Sequence, residues 1–351
     1  MSLGGGPSDP EGTSTDMRRS TAAALVVVSA AVALTGVTTV PVQDPPAAER
    51  PPPVVAADPV PLATVYSSTR GSVAVTVDAT SGGGRPFDPG GQGASARLSE
   101  LSPRGAGRSI PTAVQDSAES VIGPDGRISL RGRTTAYPNS AIGRVDFRQA
   151  GRRAWCTGTL IDADTVLTAG HCVHDGLTGA GGWSTRVTFI PGAEGDLAPF
   201  GSCRSRELLT LPGWYEDGAE YQDLGLIQLD CAIGDTVGWF GYQAAPGPKG
   251  LANVVVHVRG YPGDKAWRSL WTMRDRIRVS QRLMVFYAAD TFVGQSGSPV
   301  FDYRGCNGRR GPCVLAVHAY GRHADGPHAD LNHGPRLDEA RSALLATLAG
   351  P

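Results

Sequence analysis

Residues 290–301 read Asp290-Thr-Phe-Val-Gly-Gln-Ser-Gly-Ser-Pro-Val-Phe301, a serine set among glycines and followed by a proline and an apolar run. This is the pattern of a nucleophile on a tight turn leading into a buried strand. Gly294 and Gly297 let the backbone close around Ser296, so that main-chain N–H groups can face a carbonyl. An ordinary turn between strands uses the same residues, so the meaning of the stretch depends on the rest of the chain.

Two other stretches give it partners. In Thr168-Ala-Gly-His-Cys172 the small residues ahead of His171 allow another side chain to approach the imidazole closely, and Cys172 is placed to staple that turn to Cys156 on the preceding strand. Tyr221-Gln-Asp-Leu-Gly-Leu-Ile-Gln-Leu229 puts an acid immediately before an apolar strand. A lone histidine or a lone turn aspartate says little. In the chain order His171, Asp223, Ser296, however, the three supply a general base, an orienting carboxylate and a nucleophile. A histidine base must be neutral, so activity is expected to fall below about pH 6.5.

The segments between these residues set the fold class. Ala141-Ile-Gly-Arg-Val-Asp-Phe147, Trp155-Cys-Thr-Gly-Thr-Leu-Ile161, Thr165-Val-Leu-Thr168, Thr185-Arg-Val-Thr-Phe-Ile190, Leu224 to Leu229, Ala252 to Val258 and Val314 to Tyr320 are short β-branched runs divided by turn residues. No long amphipathic helix intervenes, which argues for an all-β barrel or sandwich. The exception is the end, where Leu337, Ala340, Leu344 and Leu348 share one face at helical spacing and predict a C-terminal helix packed on the barrel.

Composition bounds the remainder. The 351 residues include 47 Gly and 27 Pro, concentrated before about residue 120, where few apolar runs can build a core. Residues 42–119 therefore read as a pro-region or linker, largely disordered, with one or two strands near 62–78. Residues 18–37 combine Arg18-Arg19 with an apolar stretch and a small-residue exit, the pattern of a secretory signal within residues 1–41. Met17 then serves as an alternative start. Export permits disulfides, and all six cysteines lie after residue 155. A formal net charge of −1 gives no electrostatic case for nucleic acid or a membrane surface as partner.

Taken together these motifs resemble the glutamyl endopeptidases, bacterial serine proteases of the chymotrypsin fold. The resemblance rests on Ser120-Val-Ile-Gly123, Cys156-Thr-Gly-Thr-Leu-Ile161, Leu167-Thr-Ala-Gly-His-Cys172, Gln222-Asp-Leu-Gly-Leu226, Gly260-Tyr-Pro-Gly-Asp-Lys265 and the 290–301 stretch, and covers roughly residues 120–348. It implies two antiparallel β-barrels, residues 120–238 and 239–351, with His171 and Asp223 from the first and Ser296 from the second. The N–H groups of Gly294 and Ser296 would form the oxyanion hole. No cofactor or metal is implied, and the mature protein is expected to be a secreted monomer acting on proteins or peptides.

The resemblance also frames the specificity. Asp290 lies six residues before Ser296, the offset at which trypsin carries the acid that binds Arg or Lys. Against that, Thr291 and His318 match the carboxylate-binding pair of the glutamyl endopeptidases, since a hydroxyl and an imidazole can donate to a Glu side chain that an inward Asp would repel. Gln295 stands where trypsin-like zymogens have the acid that receives the new α-amine. In the resembling family the amine of the mature start, here Ser120 behind Glu119, helps bind the substrate acid. Cys203 with Cys231 and Cys306 with Cys313 are the remaining candidate disulfides, with connectivity open. The histidines between His323 and His333 are spaced through Gly and Pro and fit no rigid metal-ligand set. Cleavage after Arg or Lys, and a protease scaffold without activity that only binds, are the competing readings.

Overall fold

The computed structural model describes residues 61–77, 83–89, 96–97, 120–245, 247–322 and 327–349. The apolar stretch at 18–37, Glu119 and His323 lie outside them. No described helix is long and apolar enough to cross a membrane.

Three strands come from the Pro/Gly-rich part: β1 (Pro61–Ser67), β2 (Gly71–Thr76) and the two-residue Ala96–Arg97, which pairs with Leu197–Ala198. Six strands follow: β3 (Ile142–Gln149), β4 (Arg152–Leu160), β5 (Thr165–Thr168), β6 (Thr185–Pro191), β7 (Cys203–Thr210) and β8 (Gly225–Leu229). They pair in the order β8-β5-β4-β3-β6-β7, and β7 pairs with β8 again, closing a six-stranded barrel. Closure removes free edges along most of the sheet. Ile142, Val145, Phe189, Ile227 and Leu229 fill the interior at essentially zero exposure.

The second sheet contains β9 (Gly241–Tyr242), β10 (Val255–Gly260), β11 (Trp271–Ser280), β12 (Met284–Tyr287), β13 (Pro299–Asp302), β14 (Cys313–Val317) and β15 (Asn332–Pro335). Its order is β9-β14-β13-β10-β11-β12-β15. The sheet curls until the β15 segment meets the β14 segment through two isolated bridges, Ala316–Arg336 and Tyr320–His333. The first of the two expected barrels is thus closed by a full ladder and the second by isolated bridges. Val256, Val258, Ile277, Tyr287, Val300 and Leu315 form its separate core.

Helix α1 (Pro212–Asp217) links β7 to β8, and the C-terminal helix α2 runs Glu339–Ala349. Its Arg341, Ser342, Ala343, Leu344 and Leu345 are buried while Ala340 is exposed. Of the expected inward face, Leu344 is buried and Leu348 packs against the core, while Ala340 turns outward and Arg341 and Leu345 turn inward. Leu337 is buried ahead of the helix, and the Asp338 carboxylate accepts the Arg341 N–H at 2.9 Å, which fixes where the helix begins.

The hairpin β1–β2 agrees with the strands expected near 62–78. Alone it has too few apolar residues for a core. It borrows one, because Val65, Val75 and Val77 are buried in the same apolar cluster as the barrel. The three disulfides are Cys156–Cys172, Cys203–Cys231 and Cys306–Cys313.

Candidate active site

His171 sits in the one-turn Gly170–Cys172 segment after β5, and Asp223 precedes β8, the neighbour of β5 in the barrel. Strand pairing thus brings together residues 52 positions apart. The Asp223 carboxylate is fully buried; its Oδ2 lies 2.7 Å from His171 Nδ1 and its Oδ1 accepts the His171 N–H at 2.7 Å. A Cβ on Gly170 would stand 2.8 Å from Asp223 Oδ1, so the expected need for a small residue before the histidine is met in space. With Nδ1 on the acid, Nε2 is the nitrogen that can handle a substrate proton.

Around the pair stand aromatic rings. Trp214 of α1 lies 6.2 Å from the His171 ring and Tyr320 lies 6.0 Å from it on another side. The Tyr320 phenol is pushed upward in pKa, first by burial and then by the charge of Asp223 and a hydrogen bond to it. These apolar walls lower the local dielectric and strengthen the Asp–His interaction.

Ser296 lies on the loop between β12 and β13 and is 6% exposed. Thr157 of β4 bolts that loop to the first barrel: its N–H donates to Ser296 O at 2.8 Å, its Oγ1 donates to Gly294 O at 3.0 Å, and the same Oγ1 accepts the Tyr261 N–H at 3.0 Å. Gly294 and Gly297 have φ of +98° and +83°. A Cβ on Gly297 would stand 2.1 Å from both Thr157 O and Thr168 Oγ1. The Gly294 N–H donates to no backbone acceptor among the described residues.

The specificity candidates also converge. Ser120, the expected mature start, is held by Asn332: Nδ2 donates to Ser120 O at 2.7 Å and Oδ1 accepts the Ser120 N–H at 3.2 Å. Ser120 O also accepts the Thr291 N–H at 3.2 Å. Thr291 is completely buried, and its Oγ1 has no hydrogen-bond partner among the described residues. His318 follows β14, takes the Gly297 N–H on its carbonyl at 2.7 Å, and is fully buried. Its Nδ1 lies 2.7 Å from the Tyr287 hydroxyl. Burial first, then the neighbouring His333 and His171, push its pKa down to about 3.

Asp290 does not face this pocket as a free acid. Its Oδ1 accepts the Ile122 N–H at 2.7 Å and its Oδ2 the Gly126 N–H at 2.8 Å, with 1% of the residue exposed. Gln295 Oε1 accepts the Phe292 N–H at 3.1 Å and lies 3.4 Å from Arg127 Nη1. Arg127 in turn pairs with Asp125 and with Asp264 of the Gly260–Lys265 motif, and Lys265 Nζ lies 2.6 Å from Asp125. That motif is thus the socket for the 120–127 segment.

Sequence reasoning missed Tyr287, Asn332, Thr157 and Arg127. Their roles come from partners 31 to 212 positions away; Thr157 lies in the Cys156–Ile161 motif, but nothing in that motif announces its bonds to the Ser296 loop. Of the histidine-rich loop, His328 and His333 flank Phe286 at 4.7 and 5.1 Å, and His333 Nε2 is 3.6 Å from Glu220 Oε2.

The family profile described as Trypsin matches residues 130–328. A glutamyl endopeptidase of Bacillus licheniformis is 37% identical over 233 residues, which are 66% of this chain and 70% of that protein. A Bacillus subtilis protein named extracellular metalloprotease is 34% identical over 206 residues, 58% of this chain and 63% of its own. A solved structure of a Glu endopeptidase in complex with MPD superposes with a TM-score of 0.54 at 29% identity, covering 65% of this chain and 99% of that one. A closed first barrel, a curled second sheet and a His–Asp pair beside a glycine-turned serine are what those relationships require, and the chain belongs to the trypsin family of serine proteases, in its glutamyl endopeptidase group.

Proposed function

We propose that this serine endopeptidase cuts peptide bonds after Glu or Asp, with His171, Asp223 and Ser296 as its triad. His171 Nε2 takes the Ser296 Oγ proton as the hydroxyl attacks the carbonyl carbon, and the oxyanion is received by the N–H groups of Gly294 and Ser296. The imidazolium then protonates the leaving amine, and water repeats the sequence on the acyl-enzyme. Asp223 holds the tautomer and offsets the imidazolium charge.

The observation that carries the Glu reading is the buried Thr291 hydroxyl without a partner, beside an Asp290 whose carboxylate is already occupied by two backbone amides. A substrate carboxylate supplies the missing acceptor, whereas an Arg or Lys would find no acid there. The Tyr287 hydroxyl lies 2.7 Å from His318 Nδ1, and the tautomer in which the hydroxyl donates carries the imidazole proton on Nε2. Ser120, fixed beside Thr291, adds its α-amine once the bond after Glu119 is cut. An enzyme of this specificity can make that cut itself, which fits a protein exported through residues 1–41.

Labelling with an organophosphate tests the triad: Ser296 is expected to be modified, the His171→Ala variant not, and a zinc chelator is expected to leave the rate unchanged. Paired substrates with Glu or Gln before the scissile bond test the pocket, with Glu expected to lead by at least about a hundredfold. Labelling elsewhere, or equal rates for Glu and Gln, would overturn the proposal.

A further inference from the structure

We infer that the stretches 61–77 and 83–89 stay seated on the protease after the chain is cut before Ser120, so that the mature enzyme is a non-covalent complex of two chains. This rests on the maturation cut proposed above, but the contacts that carry it do not.

The first seat is the end of β7. There β1 pairs antiparallel with Tyr66 opposite Thr210 and Ser67 opposite Leu209, continued by Ser68 N–H to Leu208 O at 2.9 Å. Adding a strand to an exposed edge satisfies main-chain groups that water would otherwise have to hold. Below the pairing, Val65 shares an apolar pocket with Leu209, Leu344 and Leu348. Glu207 clamps the hairpin turn, its Oε1 accepting from Arg70 Nε at 2.8 Å and Thr69 Oγ1 at 3.0 Å, its Oε2 from Arg70 Nη2 at 3.1 Å. Tyr66 stacks on Tyr215 at 3.7 Å with an interplanar angle of 6°, and its hydroxyl donates to Glu216 at 2.7 Å. Tyr215 adjoins Trp214, the indole beside His171, so the hairpin buttresses the helix that walls the base.

The second seat is the passage between the two sheets. Phe87 and Trp239 exchange both main-chain hydrogen bonds at 3.0 Å, and their rings lie 4.4 Å apart. Trp239 Nε1 donates to Arg85 O at 3.0 Å and the Tyr242 N–H donates to Gly84 O at 3.0 Å. Pro86 is buried.

On the other side of the cut, Ser120 and Ile122 are fixed by Asn332, Thr291 and Asp290. Neither group of contacts passes through the bond between residues 119 and 120. Releasing the strap would return the buried Val65, Val75 and Val77, the end of the β7 edge and the Trp239 face to water.

The test uses the full chain with Ser296→Ala and a recognition site for an unrelated endopeptidase replacing residues 110–117. After complete cutting, gel filtration in native buffer is expected to elute the fragment carrying 61–89 together with the 118–351 chain, and to separate them only in guanidinium. Glu207→Ala combined with Tyr66→Ala is expected to speed release of the fragment at least tenfold. Separate elution in native buffer, or release unaffected by the double substitution, would overturn the inference. N-terminal sequencing of the wild-type product tests the maturation cut by itself: a start other than Ser120 would refute that reading, while the engineered cut still decides retention.

Discussion

The carboxylate of Asp290 belongs to the N-terminal segment: its two oxygens accept the N–H groups of Ile122 at 2.7 Å and Gly126 at 2.8 Å. An acid at the position that binds Arg in trypsin is here a structural anchor. Asp290→Asn keeps one acceptor but sets an NH2 against the second N–H. It is expected to cost about 2–3 kcal/mol of stability, read by denaturant unfolding, without altering the preference between acidic and basic substrates. A selective loss of cleavage after Arg would contradict this placement.

Tyr287 is the second residue whose part is visible only in the fold. Its hydroxyl lies 2.7 Å from His318 Nδ1 and holds the imidazole in place. Tyr287→Phe is expected to lower kcat/KM for a Glu substrate about tenfold, chiefly through KM. The Gln analogue should change less. An equal loss for both substrates would mean that the phenol only packs.

Gly297 is the residue that the turn cannot exchange. At φ +83°, a Cβ would overlap Thr157 O and Thr168 Oγ1 at 2.1 Å. Gly297→Ala is expected to abolish turnover and to destabilise by about 3 kcal/mol or more, measured by active-site titration and unfolding. Retained activity would show that the loop has freedom the structure denies.

His318 gives the stability a pH dependence. Its pKa falls from an ordinary 6.5 to about 3 on folding, because burial and then His333 and His171 oppose its charge. Between those values the unfolded chain takes up a proton that the folded chain refuses. The folded state therefore loses stability as pH drops through that window and keeps the full contribution above pH 6.5, with a slope of up to about 1.4 kcal/mol per pH unit from this group. His257, pushed down to about 4 first by burial and then by Arg259 and Arg274, acts in the same direction. Unfolding from pH 7 to pH 4 measures the slope, and His318→Gln is expected to reduce it by one proton.

The triad candidates were legible because each sits in a short local signature: small residues before His171, an apolar strand after Asp223, glycines around Ser296. The cysteine pairs could be read for the same reason, each partner lying on or beside a recognisable strand. What escaped is what depends on long-range docking. Nothing near Asp290 in sequence says that its oxygens will meet Ile122 and Gly126, 168 and 164 positions earlier. Strands near 62–78 could be expected from the sequence, but not that the barrel supplies their core. Periodicity found the C-terminal helix and most of its inward face, but not that Arg341 is buried where Ala340 was expected.

The central claim is that Thr291, His318 and Ser120 receive a carboxylate. Digestion of a random peptide library by the mature enzyme, with cut positions mapped by mass spectrometry, tests it most directly. Cuts are expected overwhelmingly after Glu, with Asp second, and cuts after Arg or Lys would contradict it.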